Sequence, residues 1–534
     1  MFLDGLYLLH PVWPYILVFL AYLFFAYRRI LIYLHALQQE DYDNQRLVRW
    51  IIENRVFDKK LSAVFIGLWL GSFILDWLPT ILLCICALAY FTWKENDPRK
   101  AAKKKLVMTQ RAKRIAFPAL LMAAGAGLLI YSPLTCLIAV QFVPVFLVLS
   151  NLILVPYEKA VQHKFYSEAQ KKLEECNPVI IGITGSYGKT SVKHILGHVL
   201  KSIAPTLITP GSVNTVMGIT RVIREQLEPN HKYFVVEMGA YGPGSIERLC
   251  ALTPPNVGII TAIGHAHYER FKTLDTVAHA KYELAQAVLA KSGTVVVNEK
   301  TLDFTHTRAM KENNASHFVV CGEDNSSCDL TILKVSQDRE GLQIQINWKG
   351  TEYTLAAPLF GLHHGHNIAL AFAAAVSLGA APADVQAALK SVPQIKHRLE
   401  VKPQGGETIL IDDAYNSNPE GFRAALDLLP VLRGENGRSI LVTPGIVELG
   451  EAHESVHHEL GAHAAKTCDV VLVVNAARIS SFISGFKEAG TGNPILPFDT
   501  FAEADNWLML NRKAGDVVLL ENDLPDLYEG VPKL

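Results

Sequence analysis

The chain has 534 residues, half of them hydrophobic and 19% charged, and 50 Lys and Arg against 51 Asp and Glu leave a net charge of −1. That length exceeds one ordinary domain, the apolar content excludes a disordered chain, and the charge balance excludes a uniformly basic nucleic-acid binder. Eight cysteines are too few for a disulfide scaffold, and neither Cys84/Cys86 nor Cys321/Cys328 has a second metal-ligand pair nearby, so reduced or buried thiols are expected.

The near-zero charge hides a split. Residues 1–156 carry 16 Lys and Arg against nine Asp and Glu, a net of +7, and the remainder has a net of −8. The first part holds apolar runs at about Val12–Tyr27, Leu61–Leu75, Pro79–Trp93, Ile115–Tyr131 and Leu134–Val155. As a single helix Leu61–Trp93 would be roughly 50 Å long, too long for a hydrocarbon core of about 30 Å. The breaks at Asp76-Trp77-Leu78-Pro79 and Tyr131-Ser132-Pro133 predict two helical hairpins and about five spans. All the basic residues of this region fall within Arg28–Lys60 and Lys94–Arg114, while the outer segments hold only Asp4 and Asp76. Lysine and arginine collect on the cytoplasmic side, which sets the N-terminus outside and the C-terminus inside. Val12–Tyr27 has no basic segment ahead of it and no small-residue cleavage site after it, so it reads as a retained span and not a signal peptide. The expected location is a cytoplasmic membrane, with the lipid bilayer as a partner.

A polar helical connector is expected over 157–176. An apolar strand up to Thr184, the loop Gly185-Ser186-Tyr-Gly188-Lys189-Thr190-Ser191 and a helix from Val192 follow, the order a phosphate-binding loop requires. Glycines let backbone N–H groups approach phosphate, and the helix N-terminus adds positive partial charge. Lys189 would meet the terminal phosphates, and Thr190 or Ser191 would hold Mg²⁺. The strand Tyr233–Glu237 ends in a carboxylate, a usual magnesium ligand or water anchor beside such a loop. The strand Val257–Ile263 leads to His265 and His267, which alone suggest metal, phosphate or solvent.

These blocks, in order, resemble the Mur ligase family, ATP-dependent amide-forming ligases of bacterial cell-wall synthesis related to folylpolyglutamate synthases. Ile183–Ser191 resembles the family ATP loop, Thr209–Gly218 the asparagine–glycine block and Val236–Gly239 the magnesium-binding strand. Ala266–Phe271 resembles the histidine loop and Ala280–Glu283 the segment with a carbamylated lysine. Gly361–Ala374 resembles the adenine-binding helix start, and His397-Arg398 with Asp412–Pro419 the hinge and C-terminal domain start. Glu448-Leu449-Gly450 matches the branch that adds D-alanyl-D-alanine to the UDP-muramoyl peptide.

The resemblance implies ATP and Mg²⁺ as cofactors, one metal near Thr190 and Glu237 and a second near Glu237, His267 and carbamylated Lys281. It implies that Asn367 reads adenine, that Arg398 and Asp413 hold ribose or phosphate, and that Asn416 approaches the γ-phosphate. The implied architecture is a transmembrane helical domain (1–156), a connector (157–176), a P-loop α/β central domain (177–395) and a doubly wound C-terminal α/β domain (396–534). Strands are expected there at Ile409–Asp412, Ser439–Thr443, Val470–Val474 and Val517–Leu520. His453, His457, His458 and His463 share helical spacing, and a solvated face is preferred over a metal site.

Two departures bear on substrate. The family's soluble UDP-sugar domain is missing before the ATP loop, and membrane helices stand in its place. Residues 514–525 are acidic where the branch has a basic motif, and Ile446 stands where it has an acid. The expected activity is a membrane-anchored ligase that activates a carboxylate, on a membrane-presented or lipid-linked donor, for attack by an amino acid or dipeptide amine, with other membrane biosynthetic proteins as candidate partners. The alternatives are a UDP-muramoyl-tripeptide ligase with an added anchor, a polyglutamate-synthase-like enzyme, and a non-catalytic nucleotide-binding subunit.

Overall fold

The structure is a computed structural model, and it describes residues 12–522 apart from 96, 101–104, 265–270, 325, 406, 415–417, 448 and 491. The chain divides into two compact units, with the boundary in sequence between His163 and Lys164.

The first unit is helical: α1 (Trp13–Gln39), α2 (Asn44–Glu53), α3 (Lys59–Gly71), α4 (Trp77–Lys94), α5 (Gln110–Gly127), α6 (Pro133–Gln141) and the first part of α7 (Val143–Cys176). Each of the five apolar runs lies mostly on helix, the last one divided between α6 and α7, and the two hairpin breaks separate α3 from α4 and α5 from α6. The second break is a capping box: Ser132 Oγ accepts from Thr135 N, the Thr135 hydroxyl accepts from Ser132 N, and Pro133 opens α6. Among the described residues three helices, α1, α4 and α7, are long and apolar enough to cross a membrane, fewer than the five spans expected, since α3 has 13 residues and α5 opens on Arg111, Lys113 and Arg114. Helix α1 outlasts its apolar run by twelve residues, to Gln39. Arg29 lies in this extension with its side chain 1% exposed, ion-paired to Asp58 and Glu95, so the charge is buried only where two carboxylates meet it. The connector is not separate, since α7 carries the last apolar run through Pro156 to Cys176 without a break.

Among the described residues the second unit holds two sheets. The central one has nine strands: β1 (Val179–Thr184), β2 (Thr206–Ile208), β3 (Tyr233–Glu237), β4 (Val257–Ile260), β5 (Thr294–Asn298), β6 (Phe318–Gly322), β7 (Leu330–Asp338), β8 (Gly341–Trp348) and β9 (Thr351–Ala357). Their order is β2-β3-β1-β4-β5-β6-β7-β8-β9, parallel as far as β7 and antiparallel from β7 to β9. Strand β1 is flanked by β3 and β4, so the chain leaves β1 where the strand order reverses, the place open α/β sheets keep for ligands. Register aligns Ile183 with Glu237 and Thr184 with Ile260. This sets the β3 carboxylate beside the loop that leads from β1 into α8 (Lys189–Lys201).

The second sheet has six strands: β10 (Glu400–Pro403), β11 (Ile409–Asp413), β12 (Ser439–Thr443), β13 (Val470–Val474), β14 (Ile495–Phe498) and β15 (Val517–Glu521). Their order is β10-β11-β15-β12-β13-β14, with only β10 antiparallel. Val, Ile and Leu fill the four inner strands, as expected of parallel strands covered on both faces. The four strands expected from the sequence are there, within a residue of their predicted ends.

Candidate active site

The loop after β1 needs its glycines. Gly185 has φ +151° and Gly188 φ +80°. A Cβ would lie 1.9 Å from Thr261 Oγ1 at the first and 2.5 Å from Asn367 Oδ1 at the second. The loop is thus pressed against β4 on one side and, on the other, against the helix His364–Ser377 that carries Asn367. Ser186 N donates to Ala262 O (2.7 Å) and Gly264 N to Ser186 Oγ (2.9 Å). Gly188→Ala combines a left-handed backbone position with this clash. We expect it to weaken nucleotide binding at least ~tenfold, measured by titration with a fluorescent ATP analogue.

Four groups bond to Glu237, which is 1% exposed, and a fifth steadies one of them. Thr190 Oγ1 donates to Oε2 (3.0 Å), Lys193 Nζ donates to the same oxygen (2.9 Å), and Asn214 Nδ2 donates to Oε1 (3.3 Å). Thr209 Oγ1 accepts from Glu237 N (3.1 Å), and Tyr241 OH donates to Asn214 Oδ1 (3.2 Å). Lys189 folds back on its own loop, donating to Gly185 O (2.6 Å) and Ser186 O (3.0 Å). Burial pushes its ammonium down to about 8, with Glu237 opposing and Arg398 adding to the fall. Ser191 is buried in the first turn of α8.

Lys281 lies on the helix Leu274–Leu289, 4% exposed. Burial, and then the charge of Lys189, hold its amine well below the ordinary lysine range. Asn367 Nδ2 donates to His364 Nδ1 (3.1 Å), and burial keeps that imidazole neutral. The positive charge of Arg398 acts on Lys189, His363, His364 and Asp413. Asp413 is pushed up to about 6 by burial, against the pull of Arg398, and its Oδ1 accepts from Leu399 N (3.2 Å). Around it the segment is locked: His397 has φ +57° and Leu399 φ +47°. Asp412 Oδ2 takes His397 Nδ1 at 2.9 Å and Lys402 Nζ at 2.7 Å. Two non-glycine residues in the left-handed region within three positions mark stored backbone strain.

The structure thus gathers Gly185, Ser186, Gly188, Lys189, Thr190, Ser191, Glu237 and Asn367 about one loop, and the field of Arg398 reaches it. His267, Asn416 and Glu448 lie outside the described residues, as does Asp523. Sequence reasoning missed Lys193 and gave Asn214 no role. The available signal was spacing, since Lys193 follows Lys189 by one helical turn and so shares its face.

The histidine-rich helix His453–Thr467 is not a solvated face throughout. His458 pairs with Glu488 (2.9 Å) and His463 with Asp427 (2.7 Å), but His457 is fully buried. His457 Nδ1 donates to His453 O (2.7 Å), and Nε2 accepts from Ile446 N (3.0 Å). It therefore anchors the loop after β12. Burial holds His457 at about 4, below its ordinary 6.5. The unfolded chain therefore takes up the proton first: stability from this group is complete above about 6.5 and is lost as pH falls through about 4. His457→Phe leaves the Ile446 N–H without its partner, at a cost of about 1–3 kcal/mol. Thermal melts at pH 7.5 and 5 check both points: the two proteins should differ less at the lower pH.

A glycine loop at a sheet switch point, a lysine and a hydroxyl at the head of the following helix, and an acid at the end of the neighbouring strand define a P-loop nucleotide enzyme. Residues 183–375 match the Mur ligase middle domain, and residues 397–521 match the domain described as Mur ligase, glutamate ligase domain. The UDP-N-acetylmuramoyl-tripeptide--D-alanyl-D-alanine ligase of Mycobacterium tuberculosis (strain CDC 1551 / Oshkosh) is 32% identical over 365 residues, covering 64% of this chain and 70% of that protein. The enzyme of the same name from Escherichia coli (strain K12) is 30% identical over 320 residues, covering 58% and 67%. Crystal structure I of MurF from Acinetobacter baumannii superposes with a TM-score of 0.59 at 27% identity, covering 69% of this chain and 78% of that one. A Thermotoga maritima MurF ligase in complex with ADP shares the fold, with a TM-score of 0.58 at 24% identity and coverage of 69% and 81%. The chain belongs to the Mur ligase family and is an ATP-dependent amide ligase, similar to MurF.

Proposed function

We propose that this ligase is anchored in a membrane by its first unit and joins a membrane-presented, lipid-linked carboxylate to the amine of an amino acid or dipeptide. The observation that carries the reading is the helical unit ahead of the matched domains. It exposes large apolar side chains at both ends of its helices: Phe73 (76%), Ile74 (90%), Leu128 (75%) and Leu129 (69%) at the two hairpin turns, and Trp93 (83%) at the end of α4. A soluble protein rarely leaves such residues in water, whereas a bilayer covers them. With the basic segments inward, the matched domains face the cytoplasm, where ATP is.

The chemistry runs in two steps. The donor carboxylate attacks the γ-phosphate of ATP, giving an acyl phosphate and ADP. The amine then attacks the acyl carbon, phosphate leaves, and the amine proton is released. Bringing a carboxylate to a triphosphate places anion against anion, so cations must be ready. On this reading Lys189 turns from its own carbonyls to the phosphates, Arg398 and Asp413 hold ribose or phosphate, and Asn367 reads adenine. The Thr190 hydroxyl and the Glu237 carboxylate are 3.0 Å apart, and such hard oxygen donors fit Mg²⁺, which when bound neutralises developing phosphate charge. Lys281, with His267 as a further ligand, fits the carbamate reading: an amine must be unprotonated to add CO₂, and burial beside Lys189 favours that form. The product, R–NH–COO⁻ with one proton released, is an anion next to that cation. Asn416 remains the residue assigned to the γ-phosphate.

The test is phosphate release by the full-length protein in nanodiscs, with amino acids and dipeptides as acceptors. A lipid-linked peptide carboxylate is expected to support turnover at least ~tenfold better than a soluble UDP-linked donor. The reverse preference would establish the second reading, a UDP-muramoyl-tripeptide D-alanyl-D-alanine ligase with an added anchor, which the names of the similar enzymes favour.

A further inference from the structure

We propose that Lys193 is a positioning residue that acts as an internal cation on the metal site, keeping free Mg²⁺ off Glu237 until a nucleotide arrives. The inference rests on the reading of Glu237 as a magnesium ligand.

The side chain of Lys193 is 0% exposed, and its Nζ lies 2.9 Å from Glu237 Oε2. Thr190 Oγ1 reaches that same oxygen at 3.0 Å. A metal held jointly by Thr190 and Glu237 needs this oxygen, and the ammonium already sits on it. Lys193 also donates to Gly211 O in the loop after β2, so a second acceptor is in reach when Oε2 is given up. The position is otherwise unfavourable for a lysine. It lies one turn from Lys189 on the same face of α8, near the helix N-terminus, where like charges repel and the helix dipole disfavours cations. Among the described residues in contact with Lys193, Glu237 supplies the only negative charge.

The consequence is conditional metal binding. With Lys193 in place the carboxylate is neutralised, and a free divalent cation meets an ammonium at its seat. A nucleotide brings several negative charges, and these make room for both the metal and the lysine. The device suits an enzyme whose metal should arrive together with the triphosphate.

Mn²⁺ is a magnesium substitute whose free and bound forms separate by electron paramagnetic resonance. Full-length protein, Lys193→Met, Lys193→Arg and Glu237→Gln are titrated with Mn²⁺, with and without a non-hydrolysable ATP analogue. The wild type is expected to bind Mn²⁺ weakly alone and tightly with nucleotide. Lys193→Met should bind at least ~tenfold tighter without nucleotide, while Lys193→Arg, which keeps the charge, stays weak. Unchanged or weaker nucleotide-free binding in Lys193→Met overturns the proposal. Should that variant fail to fold, as judged by circular dichroism, Lys193→Gln takes its place under the same criterion. Glu237→Gln separates the two layers. If it leaves nucleotide-dependent Mn²⁺ binding intact, the reading of Glu237 as a ligand fails. If it abolishes that binding and Lys193→Met still changes nothing, only the lysine proposal fails.

Discussion

Glu237→Gln is expected to lower ADP formation by at least ~1000-fold while leaving the protein folded. The carboxylate is where Thr190, Lys193 and Asn214 converge, so its charge is the one negative point among the described residues about which this part of the site is organised. The amide is nearly isosteric, and its carbonyl oxygen still accepts from Thr190 and Lys193, so the buried lysine keeps a partner and the loop keeps its shape. The loss should appear in chemistry and in metal dependence, and a separate cost in stability comes from the buried Lys193 ammonium losing its counter-charge. Lys189→Ala should show a similar loss for a different reason, since on the proposed reading it removes the cation that meets the transferred phosphate. The check is ADP formation by a coupled assay, alongside circular dichroism. Activity within tenfold of wild type in Glu237→Gln would mean that the metal sits elsewhere.

Lys281→Arg should be almost inactive, with a loss of ~100-fold or more, although it keeps a long basic side chain. Arginine stays protonated in proteins and cannot take up CO₂, and it would add a second permanent cation to a buried site already shared with Lys189. A lysine that worked as a cation would tolerate this change far better. The carbamate is directly observable: protein equilibrated with ¹³C-labelled bicarbonate should give a carbamate carbon signal that is absent in Lys281→Arg. Wild-type activity should fall when CO₂ is stripped from the buffer and return on adding bicarbonate. A fully active enzyme without CO₂ would rule the modification out.

The phosphate loop and Glu237 were legible in the chain because their geometry follows from local order, whereas Asn367 came only with the family resemblance. A strand, two glycines and a helix start place Lys189 and Thr190, and a strand end places Glu237. Lys193 was not legible, because its meaning lies in a carboxylate 44 positions away and in a carbonyl of the loop after β2. His457 was hidden in the same way: helical spacing among four histidines suggested one exposed face, yet the partner that buries it, Ile446 N, belongs to a loop outside the helix. In the helical unit, composition closed the first run at Tyr27, and the structure continues it through Arg28 and Arg29. The difference is electrostatic. Hydropathy counts Arg29 as a stop, whereas Asp58 and Glu95, distant in sequence, allow the helix to bury it. The four inner strands of the C-terminal sheet lay open in the sequence, since short Val, Ile and Leu runs bounded by turns suit buried parallel strands, whereas the edge strands β10 and β14 carry no such run.

The central claim is that the ligase works on a donor held in the membrane, and the fate of the acceptor tests it most directly. Membranes containing the full-length protein are incubated with ATP, Mg²⁺ and a radiolabelled dipeptide, then extracted with butanol. A membrane-linked donor predicts ATP-dependent transfer of label into the organic phase, lost in Glu237→Gln. Label that becomes linked in an ATP-dependent way but stays wholly in the aqueous phase would contradict the account and assign the enzyme a soluble donor.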